Sequence, residues 1–495
     1  MLERSQVCFQ PAPVGFRSAL PGARRTERQC WLLAIAGFAA VLFTLKGPNV
    51  LADPDTYWHL ATGQLVLSTH SLPLADPFSH TAFGKEWILF EWLSQVVFAA
   101  FARVGGWTAV ALLCFVVAAV SVLLLARHML RDLNGLHALA VCVLAVALAL
   151  PHFLARPHVL AWPVMILWTS GLVRAVDEHA RSPLWLIPVM TLWANLHGSF
   201  VLGLGLMAML AFEGLIAGWS GPNRRNVFAR WAVFSMLAVT AGMLTPQGVG
   251  NIAHIVSVQG QPVQMGAISE WQPSSFRELQ PFGIWLAVFV LVVLTLGVRA
   301  PIVRVGAVMV LLVLALRHVR HVELVGFLVP ILLSKALGEA LASRSTAPLP
   351  FGNRTLLAIG AGSLAFVVAF ASWTDFAPAR ENSPGAAINA FGPAGPPGSV
   401  LNDYDFGGFL ISQRIPTFVD GRSDLFGDKF LSEYIKATTV EHRDAILREY
   451  LDQHGISWTI FGPSRPAVTM LDRLPGWRRA YSDDLAVVHV RDPQR

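Results

Sequence analysis

The chain has 495 residues, of which 54% are hydrophobic and 14% are charged, and its mean hydropathy is +0.54. This composition excludes an ordinary soluble domain and predicts a protein that crosses a membrane several times. The formal net charge is +6, but arginines in cytoplasmic loops explain that excess more simply than nucleic-acid binding, so no nucleic-acid partner is expected.

Apolar runs of membrane-spanning length recur along the chain, and about eleven spans are predicted, since each crossing needs about 20 apolar residues. They lie near residues 31–51, 106–126, 137–153, 157–174, 183–196, 199–219, 231–246, 281–298, 302–317, 322–340 and 355–373. Most arginines of the short loops fall in alternate loops, which the positive-inside rule places in the cytoplasm. The basic tail, residues 1–30, is therefore predicted to be cytoplasmic, and everything after residue 373 to be exported.

The first exported loop, residues 52–105, carries the motif "LADPDTYWHLATGQ" directly after the first span. Apolar positions over 55–67 recur at helical spacing and predict a helix lying in the membrane interface. A second helix is predicted over "EWILFEWLSQVVFAAFARVGG" and is broken by Gly105 and Gly106. This loop contributes the candidate site residues Asp53, Asp55, His59, Glu86 and Glu91.

Asp53 and Asp55 lie where a carboxylate must be solvated, paired or bound to a cation. Two carboxylates at this spacing can chelate a divalent cation such as Mg²⁺ or Mn²⁺, or one can act as a general base while the other orients the acceptor. The alternative for Asp55 is a structural role as the N-cap of the following helix. The two roles are compatible, because a cap would fix the loop that presents Asp53.

Further polar residues are predicted to converge on the same exported face. They are Arg156 and His158 before the fourth span, Asn195 and His197 after the fifth, Glu270 in the next exported loop, and Arg317 and Arg320 between the ninth and tenth spans. Arginines at the outer leaflet run against the positive-inside bias, and an anionic lipid-linked phosphate would account for them. Pairing of Arg317 and Arg320 with Glu323 or with lipid headgroups is an equally good explanation.

The last third of the chain changes character. A Pro/Gly-rich linker over 374–398 precedes short β-like runs ("SVLND", "GGFLIS", "PTFVD", "SWTIFG" and "LAVVHVRD") and one helical segment, which together predict a small α/β domain over 399–495. This domain contributes the candidate residues Asp405, Asp420, Arg422 and Asp424. Asp and Gly here can simply occupy tight turns, or Arg422 and its carboxylates can dock on the first exported loop and help to bind an acceptor sugar or a cation.

The motifs "DPDTYWHLATGQ", "ADPFSHTAFGKEW", "WANLHGSF" and "TFVDGRSDLFGD" resemble those of bacterial membrane proteins classed as mannosyltransferase-like, within the GT-C superfamily of integral-membrane glycosyltransferases. The resemblance extends from about residue 50 to the C-terminus. It implies a helical GT-C-like fold in the bacterial inner membrane and a polyprenyl-phosphate sugar donor. It also implies an extracytoplasmic acceptor (glycan, lipid or protein) and an inverting transfer.

Within that resemblance the general base is Asp53, with Asp55 as second candidate, while Arg156, Arg317 and Arg320 stabilise the leaving phosphate. Two other kinds of protein remain open. A lipid or polysaccharide transporter needs ionisable residues deep in its spans, for which Glu213 is the clear acidic candidate. A non-catalytic scaffold for envelope assembly would tolerate the loss of Asp53.

Overall fold

The structure is a computed structural model that describes residues 21–179, 182–218, 224–258, 260–342, 352–440 and 443–492. Residues 1–20 of the predicted cytoplasmic tail and the last three residues of the predicted exported domain lie outside the described residues. The helices up to residue 373 are α1 Pro21–Thr44, α2 Asp55–Thr69, α3 Trp92–Met129, α4 Gly135–Ala149, α5 Pro157–Asp177, α6 Ile187–Leu196, α7 Phe200–Gly218, α8 Arg224–Gly242, α9 Val249–Val258, α10 Pro262–Ala267, α11 Pro281–Leu296, α12 Ile302–Arg317, α13 Val322–Ala342 and α14 Asn353–Trp373.

Each predicted span coincides with one of these helices. Seven of the described helices (α1, α3, α4, α5, α7, α13 and α14, some extended by a flanking 3₁₀ turn) are long and apolar enough to cross a membrane. The helices at the other four predicted spans do not meet this criterion of length and hydropathy. Helices α6, α11 and α12 are shorter, and α8 begins with an Arg-rich turn. The predicted polytopic helical architecture is confirmed.

Helix α3 joins the first exported loop to the membrane bundle through a kink. Gly105 and Gly106 have non-helical backbone angles, and Gly106 has a φ of 61° that side-chain-bearing residues rarely adopt. The break predicted at these two residues is therefore present. The part of α3 before the kink packs against α2, and the close approach requires Gly63, where a Cβ would lie 2.0 Å from the main-chain oxygen of Gln95.

The first exported loop differs from the prediction in two respects. Helix α2 is present as predicted, but it is covered by protein, because its residues from Thr56 to Leu60 are buried between the bundle and the C-terminal part of the chain. The second helix begins at Trp92, not at Glu86, and Trp87, which was predicted to be helical, lies before it and is buried. Local periodicity identified the helical segments but not which surfaces would cover them.

The C-terminal part forms the predicted α/β domain. Its strands are β1 Ser399–Asn402, β2 Ile456–Phe461, β3 Trp477–Ser482 and β4 Val487–Arg491, and its helices are α15 Gly385–Asn389, α16 Gly407–Ser412, α17 Ser423–Phe426, α18 Asp428–Thr438, α19 Asp444–Gln453 and α20 Pro466–Arg473. The sheet order is β1-β2-β4-β3, with β1 and β2 parallel and the other pairs antiparallel.

Three expectations for this domain were wrong. The run "GGFLIS" forms helix α16 instead of a strand, and "PTFVD" makes one isolated bridge, from Thr417 to Ser79 of the first exported loop. The single helical segment is two helices, α18 and α19. Short apolar runs fit a strand and a buried helix equally well, so periodicity alone does not distinguish them.

The first exported loop and the C-terminal domain share one hydrophobic core. Trp58, Trp87 and Leu89 of the loop pack in the same buried cluster as Phe418 and Leu447 of the domain. Main-chain hydrogen bonds join the two, from His80 N–H to the Thr417 oxygen (2.9 Å) and from Thr417 N–H to the Phe78 oxygen (3.2 Å). The loop that carries Asp53 is therefore held between the membrane helices and this domain.

Candidate active site

A cavity of about 1140 Å³ opens where the helical bundle, the first exported loop and the C-terminal domain meet. The bundle contributes residues from the starts of α3, α5 and α13, and the domain contributes Asp403, Tyr404 and Asp405. Of the residues predicted from sequence, the cavity wall contains Asp53, Asp55, His59, Glu91, Arg156, His158, His197, Glu270, Arg320, Asp405 and Asp424. Eleven predicted residues from separate segments of the chain thus share one cavity.

Arg156 lies at the centre of this polar wall and contacts three carboxylates. Its Nη1 is 3.3 Å from Asp53 Oδ2, its Nη2 donates to Asp55 Oδ2 at 2.8 Å, and Nη1 also donates to Glu270 Oε1. Burial of an arginine among three carboxylates strengthens each pairing, because water screens the charges poorly there. The arginine links the first exported loop to the 268–271 segment.

The start of α2 fixes the two aspartates in different orientations. Asp53 Oδ1 accepts a hydrogen bond from the main-chain N–H of Asp55 at 2.8 Å. Pro54 occupies the N-cap position, with no side-chain cap. The interpretation of Asp55 as the N-cap is therefore wrong: Asp53 provides the capping contact, and Asp55 points to Arg156.

Two glycines of the C-terminal domain pack closely against this loop. A Cβ on Gly421 would lie 1.7 Å from Asp55 Oδ1, and one on Gly408 would lie 2.2 Å from the Pro54 oxygen. Neither glycine has a positive φ, whereas Gly427 does. The explanation of these glycines as turn residues is thus correct for Gly427 and wrong for Gly408, which lies in helix α16. Gly421 lies in an Asx turn, in which Arg422 N–H donates to Asp420 Oδ1 at 3.1 Å, and it also allows close packing.

The carboxyl groups of the cavity differ in pKa, because their burial and their charged neighbours differ. Burial raises the pKa of Asp53 to about 7 against the opposing effect of Arg156, and the nearby Asp55 and Glu270 raise it further. Burial likewise raises the pKa of Asp55. Burial would raise the pKa of Glu270 too, but Arg156 and Arg320 outweigh it and lower that pKa to about 2. Glu270 is the permanent anion, and Asp53 exchanges its proton near neutral pH.

Histidines and glutamates form a second set of contacts in the cavity. His197 Nε2 lies 3.3 Å from Glu91 Oε1, and His158 Nε2 lies 3.7 Å from Glu323 Oε2. Burial raises the pKa of Glu91 to about 8 and lowers the pKa of His197 well below its usual value. At neutral pH Glu91 and His197 are therefore both mainly uncharged, so their contact is not an ion pair.

Arg320 has a different environment from Arg156. Its guanidinium carbon lies 4.3 Å from the centre of the Trp271 ring, and the described residues give this guanidinium no ion pair and no hydrogen bond. A stacked arginine keeps its hydrogen-bond donors available at the edge of the plane. Arg320 is therefore a cation in the cavity wall with free donors.

The other predicted residues do not line the cavity. Arg317 is exposed, as is Glu86. Asn195 is occupied by structural hydrogen bonds, accepting from Trp92 Nε1 at 2.8 Å and donating to the main-chain oxygens of Thr191 and Leu244. The structure thus gives Arg317 no access to a ligand in the cavity, and it does not support pairing of Arg317 or Arg320 with Glu323 within ion-pair distance.

Asp420 and Arg422 form a buried cluster with Asp76 of the first exported loop. Arg422 donates to Asp420 through Nε (2.8 Å) and Nη2 (2.7 Å) and to Asp76 through Nη1 (2.5 Å), and all three side chains are fully buried. The planes of Phe78 and Trp87 cover the guanidinium. Arg422 therefore docks on the first exported loop, which agrees with one of the two interpretations given for it. It does not line the cavity, because it is buried behind the residues of the wall.

Two further aspartates on the domain side of the cavity are paired. Asp424 Oδ2 lies 2.9 Å from His254 Nε2, and Asp405 Oδ2 accepts from Arg465 Nη2 at 2.8 Å. Sequence reasoning missed Trp271, His254 and Arg465, although Trp271 directly follows the predicted Glu270. An aromatic residue beside a charged residue in an exported loop was the available signal.

The aspartate pair contacts an arginine in this structure. Among the residues described, no group of three or more His, Cys, Asp and Glu side chains is arranged to hold a metal ion. Asp53 and Asp55 both contact Arg156, whose guanidinium supplies positive charge where a divalent cation would. These residues do not form a ready cation site as placed, and a Mg²⁺ or Mn²⁺ requirement stays a prediction.

The helical bundle, the 52–105 loop and the small α/β domain define a polytopic helical membrane protein, and its fold is similar to that of two solved membrane proteins. The archaeal oligosaccharyltransferase AglB from Archaeoglobus fulgidus, solved with an inhibitory peptide and a dolichol-phosphate, superposes with a TM-score of 0.54 at 11% identity, over 87% of this chain and 69% of that one. ArnT from Cupriavidus metallidurans, bound to undecaprenyl phosphate, superposes with a TM-score of 0.51 at 12% identity, over 94% of this chain and 99% of that one.

These likenesses concern the fold. At 11–12% identity they show the architecture that the resemblance predicted and leave the activity open. No protein-family model and no curated protein sequence matches the chain.

Proposed function

We propose that this protein is a membrane glycosyltransferase that moves a sugar from a polyprenyl-phosphate donor to a hydroxyl group of an extracytoplasmic acceptor. The observation that carries the proposal is one cavity containing both a carboxyl whose pKa is about 7, that of Asp53, and the available guanidinium of Arg320. A base that ionises near neutral pH and a phosphate-binding cation are the two groups that such a transfer needs. The polyprenyl phosphates in the two fold neighbours support a lipid-linked donor.

In the proposed reaction Asp53 takes the proton of the acceptor hydroxyl. The acceptor oxygen forms a bond to the anomeric carbon as the bond from that carbon to the phosphate oxygen breaks. The bonding electrons leave with the phosphate, and Arg320 stabilises the charge that develops there. Attack from the face opposite the phosphate inverts the configuration of the sugar.

Arg156 takes a different part in this scheme from the phosphate-binding role predicted for it. Its guanidinium contacts Asp53, Asp55 and Glu270, so binding a phosphate would require it to leave carboxylate partners. We assign to Arg156 the positioning of Asp53 and the adjustment of its pKa. Asp55 holds Arg156 from the other side.

The orientation and location belong to the same proposal. We place the protein in a bacterial inner membrane with its N-terminus in the cytoplasm and the cavity and C-terminal domain outside, because the loop arginines follow that pattern. The acceptor is a glycan, a lipid or a protein, and it binds on the side of the cavity that the C-terminal domain forms.

The transporter alternative loses its main support in the structure. Glu213 pairs with Arg304, whose Nε lies 3.0 Å and 3.1 Å from the two carboxylate oxygens, and Arg304 Nη2 contacts Asp177 at 2.5 Å. This cluster of one guanidinium and two carboxylates joins helices α5, α7 and α12, so Glu213 has a structural explanation.

Asp53→Asn should abolish transfer in the full-length protein in lipid nanodiscs, with an extract of cell-envelope glycans, lipids and proteins as the source of acceptor hydroxyls. Transfer is measured as release of undecaprenyl phosphate from a panel of undecaprenyl-phosphate hexoses. Loss of a general base lowers the rate by about 10²–10⁴-fold, while the near-isosteric amide should leave abundance and the thermal transition unchanged. Glu278→Gln, which changes an exposed carboxylate outside the cavity, is the matched control. Full activity of Asp53→Asn would exclude Asp53 as the base, and a wild-type protein inactive with every donor would favour the scaffold.

A further inference from the structure

A second cavity, of about 650 Å³, lies at the opposite end of helix α3 from the candidate active site. We call it the basic groove. Four arginines from the ends of three membrane helices line it: Arg28 of α1, Arg127 of α3, Arg131 just after α3, and Arg174 of α5. Its volume lies within the ~300–1,000 Å³ range of small-molecule sites.

The positive charge of the basic groove is only partly balanced. Glu178 pairs with both Arg131 (2.7 Å) and Arg174 (3.1 Å). Arg28 Nη2 donates to the main-chain oxygen of Arg127 at 2.7 Å, and the Arg127 guanidinium has no hydrogen bond or ion pair with the described part of the chain. Glu178 thus lies within ion-pair distance of two of the four guanidinium groups, and no carboxylate of the described residues lies that close to Arg28 or Arg127.

The remaining wall of the basic groove is largely apolar. Leu32, Leu124 and Leu167 line it along the three helices, and the buried Ser170 hydroxyl there has no hydrogen-bond partner. Trp185 closes one side and is 55% exposed, as expected for a tryptophan at the level of lipid headgroups. Arginines at helix ends above an apolar wall match a molecule with an anionic head and a hydrocarbon tail.

We propose that the basic groove binds the phosphate headgroup of an anionic glycerophospholipid in the leaflet opposite the active site. Its unbalanced charge attracts a phosphate, since guanidinium groups bind phosphate oxygens in pairs. Basic pockets between membrane helices are suited to such headgroups. A bilayer lipid is the occupant because the groove lies at helix ends, where the headgroups of that leaflet are. This site stands independently of the proposed transfer reaction.

Native mass spectrometry of the full chain in detergent tests the site, with phosphatidylglycerol, phosphatidylcholine and undecaprenyl phosphate as separate probes. Wild type should bind one phosphatidylglycerol more tightly than phosphatidylcholine. Arg127→Ala, at an exposed position, should weaken that binding about fivefold, the equivalent of ~1 kcal/mol for one arginine at the headgroup level. Arg127→Lys should keep most of the affinity, because it keeps the charge.

Arg230→Ala is the matched control, because Arg230 is an exposed arginine of α8 that does not line the basic groove. Its affinity for phosphatidylglycerol should equal that of wild type. Equal binding of the two glycerophospholipids by wild type, or an equal loss in Arg127→Ala and Arg230→Ala, would overturn the site. Tighter binding of undecaprenyl phosphate than of phosphatidylglycerol would overturn the choice of occupant.

Discussion

Replacing Glu270 by glutamine should lower the pKa of Asp53. Glu270, with a pKa of about 2, is ionised throughout the physiological range, and its charge is among the causes that raise the Asp53 pKa to about 7. Glutamine has nearly the same shape as glutamate but no charge, so the variant removes the repulsion between Glu270 and Asp53. It also takes away one of the three carboxylates that Arg156 contacts. Both effects favour the ionised form of Asp53, so its titration should move to lower pH.

The size of the shift follows from the shared arginine. Asp53 and Glu270 both contact Nη1 of Arg156, so their nearest oxygens are at most about 6 Å apart. Two charges at that distance interact by ~3 kcal/mol at an effective dielectric constant of about 20, which is ~2 pKa units. Water in the cavity screens part of this interaction, and a shift of about one to two units is expected.

Infrared difference spectroscopy measures this shift without a substrate. The protonated carboxyl band lost in Asp53→Asn identifies Asp53, and its intensity is followed from about pH 4 to about pH 9 in wild type and in Glu270→Gln. Wild type should be half-titrated near pH 7. If wild type is already fully ionised at about pH 5, or if Glu270→Gln titrates at higher pH than wild type, the account of this cluster is wrong.

Three further outcomes are expected. Arg320→Ala should raise the apparent KM for the polyprenyl-phosphate donor by tenfold or more, about 1.4 kcal/mol, whereas Arg317→Ala should leave donor KM unchanged because Arg317 lies outside the cavity. Gly421→Ala should reduce turnover strongly, since its Cβ would lie 1.7 Å from Asp55 Oδ1, and should increase protease cleavage of the first exported loop. Arg422→Met should destabilise the protein by about 3–5 kcal/mol by leaving buried carboxylates unpaired, seen as a lower thermal transition.

Each of these outcomes has a control. Arg320→Lys should recover donor binding in part, because it keeps the charge but not the forked geometry; a shift in acceptor KM alone would move the donor site elsewhere. Gly205→Ala, where an added Cβ meets nothing within 4 Å, should leave turnover and cleavage unchanged. Arg465→Met removes an arginine whose side chain is 41% exposed and should cost far less stability than Arg422→Met; equal losses would contradict the buried-cluster argument.

The sequence was sufficient for features that depend on nearby residues. Lengths of apolar runs located the membrane helices, and Gly105–Gly106 located the kink in α3. The motif around Asp53 and Asp55 indicated the loop that lines the cavity. In each case the physical cause lies within about twenty residues of chain, the length of one span.

Features that depend on distant contacts were not accessible in this way. The segment "GGFLIS" has the composition of a strand, yet Gly408 lets it pack as a helix against Pro54. The partner of Arg422 on the loop, Asp76, is 346 positions away. Likewise, the stacking of Arg320 on Trp271 follows from the docking of two separate loops. No local pattern specifies such pairings.

The 346 positions between Asp76 and Arg422 also set a time interval during synthesis. At ~5–20 residues per second, a ribosome needs roughly 17–70 s to make the chain between them. For that interval Asp53 is already made, but the domain that presses on its loop and closes the cavity wall does not yet exist. Until the last hundred residues have been made and have folded, the cavity therefore lacks the part of its wall that this domain forms.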